Sequence, residues 1–257
     1  MGIVNVTPDS FSDGGVNLDP DVAAASARRM LADGAAIVDV GGESTRPGSE
    51  GVSAEEELRR VVPVLERLRG APVSIDTAKA AVARRALQLG AELVNDVTAL
   101  RGDPLMAETV AEAGAYLCLV HMRGEPRTMQ RAPRYEDVAG EVTTFLEERL
   151  AVAVRAGIPE RRICLDPGFG FGKTAAQNFE LLRRLDTLVA LGRPVLVGLS
   201  RKRSLGRLQG DPDATTGSTA ASLGAAVAAY ERGATLLRAH EVREHVEALA
   251  AARAVWG

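Results

Sequence analysis

The stretch ADGAAIVDV, residues 32–40, decides how the rest of the chain is read. Gly34 stands where a helix would end, at the position whose left-handed backbone only glycine adopts without a Cβ penalty. A β-branched apolar run follows within three residues. The same unit returns as LRGAPVSID (68–76), LGAELVNDV (89–97), AGAYLCLV (113–120), AGIPERRICLD (156–166), LGRPVLVG (191–198) and RGATLLRA (232–239). Gly34, Gly70, Gly90, Gly114, Gly157, Gly192 and Gly233 therefore mark seven passages from helix to strand. The helical stretches carry apolar residues at three-to-four spacing, as in Val138, Val142, Phe145, Leu146 and Leu150, whereas the strands are short apolar runs with little alternation. Such runs belong to strands buried on both faces, which is the habit of parallel sheets.

With the opening GIVNV, eight strands are predicted, starting near Gly2, Ile37, Val73, Leu93, Tyr116, Ile163, Val195 and Leu236. Eight βα units at about 32 residues each predict an α/β fold closed into a (β/α)8 barrel. A doubly wound open sheet is the alternative. No Pro/Ser-rich linker breaks the chain, so a single domain over residues 1–257 is expected.

Of the 257 residues, 46% are hydrophobic and 25% charged, an ordinary globular composition. A net charge of −3 supplies no basic field for a phosphate backbone, so no nucleic-acid partner is expected. No apolar run approaches the roughly 20 residues of a membrane span, and MGIVNVTPDS has no basic segment before an apolar stretch, so no membrane association and a cytoplasmic location are expected. The first strand begins almost at Met1, so residues that often close the bottom of such a barrel are expected to be missing. Cys118 and Cys164 lie in apolar runs and are read as buried structural thiols. Of the 31 basic residues only Lys79, Lys173 and Lys202 are lysine, which makes each a candidate for a specific role.

In barrels of this kind chemistry gathers at the C-terminal ends of the strands. Those positions read Asn5, Asp39, Asp76, Asn95, His121, Asp166, Ser200 with Lys202, and Arg238 with His240. A polar residue there can simply cap the next helix, and Asp76, close before a helix, is the more cap-like of the first two aspartates. Eight polar ends converging on one mouth are not explained as independent caps. Two long glycine-rich loops, Asn5 to Gly15 and Gly41 to Gly51, have the hydroxyls and backbone donors of lids over an anionic ligand.

LDPGFGFGKT (165–174) is not a Walker A loop, because Pro167 stands where the first glycine is required. Phe169 and Phe171 instead offer aromatic surface beside Asp166, at least one of them packing within the loop. Arg238 and His240, two apart on an extended backbone, face the same side and can reach one anion. Asn5 lies close by in barrel order, which makes a diphosphate and magnesium site. His121 is either a ligand or a structural hydrogen bonder. No zinc spacing occurs.

These residues resemble the dihydropteroate synthase family. The resemblance rests on NVTPDSFSDGG, VDVGGESTRPG, SIDTAK, LVNDV, LDPGFGFGK, GLSRK and LRAHEV, in order from residue 3 to 242. It implies a TIM barrel that joins 6-hydroxymethyl-7,8-dihydropterin diphosphate to para-aminobenzoate with Mg2+, by an SN1-like course, in a homodimer inhibited by sulfonamides. By the same resemblance Asp76, Asn95, Asp166 and Lys202 would bind the pterin, with Arg238 stacked on its face. Arg238, Asn5, Arg46 and His240 would hold the diphosphate, and Asn5 would contact magnesium with Asp13 nearby. Phe11, Thr45, Pro47, Phe171 and Ser200 would form the para-aminobenzoate pocket. Glu241, where the family more often has Asp, is expected to matter little. A methyltetrahydrofolate-dependent methyltransferase would not require the SRK and lid signatures, and a non-catalytic pterin-binding paralogue should show damage there; none is visible.

Overall fold

Each predicted strand forms, and the eight follow one another around a ring. The computed structural model describes residues 1–7, 19–46, 48–211 and 213–256. Six strands, β1 (Gly2–Asn5), β2 (Val38–Gly41), β3 (Val73–Asp76), β4 (Leu93–Asp96), β5 (Tyr116–Val120) and β6 (Ile163–Asp166), pair in parallel in chain order. β7 (Leu196–Val197) and β8 (Leu236–Leu237) pair separately. Single parallel bridges between Leu165 and Val195 and between Gly2 and Ala239 join the two groups at both ends, which closes the barrel and excludes the open sheet.

Outside the ring, α1 (Pro20–Ala32), α2 (Ala54–Arg67), α3 (Ala80–Gln88), α4 (Met106–Ala113), α5 (Val138–Arg155) and α6 (Ala175–Arg183) follow the first six strands. Two short helices, α7 (Asp186–Val189) and α8 (Arg203–Gly206), flank β7, and α9 (Thr219–Glu231) and α10 (Val242–Trp256) complete the layer. All seven glycine stops have positive φ, from 59° at Gly114 to 103° at Gly34 and Gly90. α5 illustrates the rest: the Asp137 carboxylate caps it by accepting from Gly140 N at 3.2 Å, and Val138, Val142 and Leu146, one turn apart, are buried. Fully burying one such leucine is worth about 2–3 kcal/mol.

Strand alternation splits the core. Val94, Leu117, Leu119 and Leu165 point out and pack with the helices, whereas Leu93, Cys118, Val120, Cys164 and Leu196 form a second cluster. Cys118 and Cys164 are register partners, buried and free. Because Asn95 pairs in register with Cys118, and Asp76 with Asn95, the inward set turns from apolar to polar toward the C-terminal ends.

Candidate active site

At that polar end the described residues enclose a cavity of about 490 Å³. Asn5, Thr45, Arg46, Asp76, Asn95, Asp166, Phe171, Ser200, Lys202, Arg238 and His240, all proposed from sequence, line it together. Phe11, Asp13 and Pro47 lie outside the described residues.

One wall is a charged network built on β2, β3, β4 and the end of β8. Arg238 Nε donates to Asp39 Oδ2 at 2.7 Å, and its Nη2 donates to Asp76 Oδ2 at 3.0 Å. Asn95 Nδ2 donates to the same Asp39 oxygen at 2.9 Å. The buried Asn95 Oδ1 has no hydrogen-bond partner among the described residues, an unsatisfied acceptor in the wall of the cavity. Burial, and next the charge of Asp39, push Asp76 up to about 7, against the pull of Arg238. The expectation that Asp76 is the more cap-like aspartate is corrected here. Its carboxylate is turned to Arg238, and the first turn of α3 is capped from elsewhere, with Asp103 Oδ2 accepting from Ala80 N at 2.9 Å.

Across the cavity, Asp166 accepts from Gly168 N at 2.7 Å, while burial raises its pKa. Lys202 Nζ lies 4.6 Å from the centroid of the Phe171 ring, and burial, with Arg238 next, lowers it to about 8. Two carboxylates, an amide and an ammonium thus line one space, the donor and acceptor set of a flat polar ring. Phe169, in contrast, is only 1% exposed and belongs to the core, as expected of one of the two phenylalanines.

The other end of the cavity is cationic. Ser200 Oγ lies 3.0 Å from His240 Nδ1 and accepts from His240 N at 3.1 Å. Burial, then Arg238, lowers His240 to about 3, so its imidazole is neutral at pH 7. Arg46 adds to the field on both His240 and Lys202. The loop bearing Arg46 is stapled to itself. Ser49 Oγ donates to Ser44 O at 2.6 Å and to Arg46 O at 2.8 Å, and Glu43 Oε1 accepts from Val52 N at 2.8 Å. Glu241 borders this end of the cavity: its carboxylate accepts from Ser200 Oγ at 3.3 Å and pairs with Arg201.

His121 proves to be a structural bonder, its Nδ1 2.9 Å from Lys173 Nζ. Among the described residues no three His, Cys, Asp or Glu side chains gather to hold a metal. Sequence reasoning left several residues out of the site. Asp39 is one, though its strand-end position was a signal. Lys173 is another, a rare lysine in the Gly-rich loop. Glu43, which braces the second loop, gave no signal beyond lying within it.

Fold and site together define the class, a pterin-binding enzyme of the α/β-barrel type, and the family model described as pterin binding enzyme matches residues 1–240. The dihydropteroate synthase of Escherichia coli (strain K12) is 46% identical over 254 residues, 97% of this chain and 88% of that protein. The Yersinia pestis dihydropteroate synthase, solved as a sulfonamide drug complex, superposes with a TM-score of 0.94 at 44% identity, covering 100% of this chain and 93% of that one. The Xanthomonas albilineans dihydropteroate synthase with 4-aminobenzoic acid gives 0.90 at 49% identity, with 100% and 92% covered. The chain belongs to the dihydropteroate synthase family, transferases of folate synthesis.

Proposed function

We propose that the protein joins 6-hydroxymethyl-7,8-dihydropterin diphosphate to para-aminobenzoate, releasing diphosphate, in an SN1-like reaction. The observation that carries this reading is the convergence of Asp76, Asn95, Asp166, Lys202 and Arg238 on one cavity whose other end is cationic. In this reading the two carboxylates and the Asn95 oxygen accept from the pterin N–H groups, and Lys202 donates to its carbonyl or ring nitrogen. Arg238 leaves part of its carboxylate pairing to stack on the ring.

The bond from the exocyclic methylene to oxygen breaks first, its electron pair leaving with diphosphate. Arg46, Arg238 and His240 stabilise that charge as it develops. Neutral His240 can give the anion a hydrogen bond only from Nε2–H. Ser200 must then donate to Nδ1 and release Glu241. The amine of para-aminobenzoate, held among Thr45, Phe171 and Ser200 with Phe11 and Pro47, captures the methylene cation. It then loses a proton, and no strong general base is needed because the attacking amine is neutral.

The donors fit magnesium. Asn5 brings a hard amide oxygen to the cavity wall, and with so few protein ligands the ion would take its other oxygens from diphosphate, water and the expected Asp13. When bound it would supply charge neutralisation at the leaving group. The rest of the reading is a single domain over 1–257 acting as a cytoplasmic homodimer, which light scattering tests. No described helix is long and apolar enough to cross a membrane.

A coupled diphosphate-release assay decides the function. Turnover is expected only with magnesium, pterin diphosphate and para-aminobenzoate all present. Undiminished turnover in Asp76→Ala or Lys202→Ala would overturn the assigned pterin pocket.

A further inference from the structure

The loop after β6 leaves one cation unaccounted for by the reaction. Lys173 is 2% exposed and lines the cavity, yet no described carboxylate touches it. Its Nζ meets three neutral groups instead, His121 Nδ1 at 2.9 Å, Gly168 O at 2.9 Å and Phe171 O at 3.2 Å. As an ammonium it has three N–H bonds for three acceptors. This arrangement costs desolvation, since burial drives Lys173 down to about 7 with only the field of Asp166 opposing.

What the contact secures is visible within the same residue. Gly168 gives its carbonyl to Lys173 and, from the preceding peptide, its N–H to Asp166 Oδ1 at 2.7 Å. Phe171 gives its carbonyl to Lys173 while its ring lies beneath Lys202 Nζ. The loop is pressed against the end of β5 so closely that a Cβ on Gly168 would overlap the His121 carbonyl, and one on Gly172 the Arg123 carbonyl. Gln130 Nε2 and Asn178 Oδ1 hold Gly170 from either side at 2.5 and 2.8 Å.

We propose that Lys173 is a positioning residue of the ring site: by fastening the loop to His121 it aims the Gly168 N–H at Asp166 and sets the Phe171 ring under Lys202. The proposal rests on the reading that Asp166 and Lys202 bind the pterin.

The test compares wild type, Lys173→Met, Asp166→Asn and the double variant for binding of 6-hydroxymethylpterin, the ring without its leaving group, and for steady-state kinetics. Lys173→Met is expected to raise the ring dissociation constant and the KM for pterin diphosphate at least tenfold, with kcat falling less than threefold. Asp166→Asn should cost less in that background than in the wild type, because part of what Lys173 does runs through Asp166. If Asp166→Asn binds the ring as wild type does, the pterin reading is wrong and the proposal falls with it. If Asp166→Asn is weakened but Lys173→Met is normal, or their losses multiply, the proposal alone is overturned. Should Lys173→Met fail to fold, 15N-lysine labelling of the wild type gives only three side-chain signals. The Lys173 signal, assigned by Lys79→Arg and Lys202→Arg, is expected to move on ring binding; an unmoved signal refutes the proposal.

Discussion

Asp39→Asn isolates what the buried charge of Asp39 does to the aspartate beside it. Asparagine can keep an oxygen where Oδ2 now accepts from Arg238 at 2.7 Å and Asn95 at 2.9 Å, and its amide nitrogen would take the place of Oδ1, which has no described partner. The change therefore removes a charge and keeps the shape. The charge of Asp39 stands next to burial among the causes that raise Asp76 to about 7. Two unit charges about 6 Å apart at an effective dielectric of about 20 interact by about 3 kcal/mol, or about two pH units. Asp76 should then titrate near 5.

Folding stability should follow. A carboxyl raised in the folded state binds its proton more tightly there than in the unfolded chain. Its stabilising contribution is complete below 3.8 and lost as pH rises to about 7. In Asp39→Asn that loss should be over by about pH 5. The assay is 13C-carboxyl NMR titration of Asp76, with urea unfolding at pH 4, 5.5 and 8. An Asp76 midpoint that stays at 7 or rises would refute the reasoning. Asp39→Ala is the contrasting perturbation. It strands Arg238 Nε and Asn95 Nδ2, about 2 kcal/mol each. At about 2.1 cal/mol/K per residue, the combined loss of about 4 kcal/mol lowers Tm by about 7 °C.

Lys79 Nζ pairs with Glu57 Oε2 at 2.6 Å and Glu43 Oε1 at 2.9 Å, and Glu57 is fully buried. Lys79→Met should cost about 3–5 kcal/mol by urea unfolding at pH 8, and less at low pH, because burial already raises Glu57 toward its neutral form. Gly168 has φ 67°, and its Cβ would meet the His121 carbonyl, so Gly168→Ala should lose more than the about 1–3 kcal/mol of backbone strain alone and weaken pterin binding in calorimetry. Because Arg46 is read as a diphosphate ligand, backbone amides 43–52 should gain hydrogen-exchange protection when diphosphate and magnesium are added. Equal protection in both states would remove Arg46 from that role.

Much of the barrel is written locally. A glycine that must take positive φ, followed by an apolar run too short and too unbroken for an exposed helix, specifies each of seven helix-to-strand passages, and with the opening strand these give the eight-strand count, whereas closure of the ring is seen only in the bridges at Leu165–Val195 and Gly2–Ala239. The strand ends could be read for the same reason, since the residue after a buried run is where the chain leaves the core, and in a barrel those exits share one face. Asn5, Asp76, Asn95, Asp166, Lys202 and Arg238 are therefore legible as candidates in the sequence. Their pairings are not. That Asp76 faces Arg238 rather than capping α3, that Glu241 reaches Ser200, and that Lys173 closes on His121 across 52 residues of sequence are decided by which side chains packing brings within 3 Å or so. Local propensity acts over a few residues and the sequence by itself determined that much, whereas a hydrogen bond or an ion pair depends on distance in space. Only the closed barrel sets that distance.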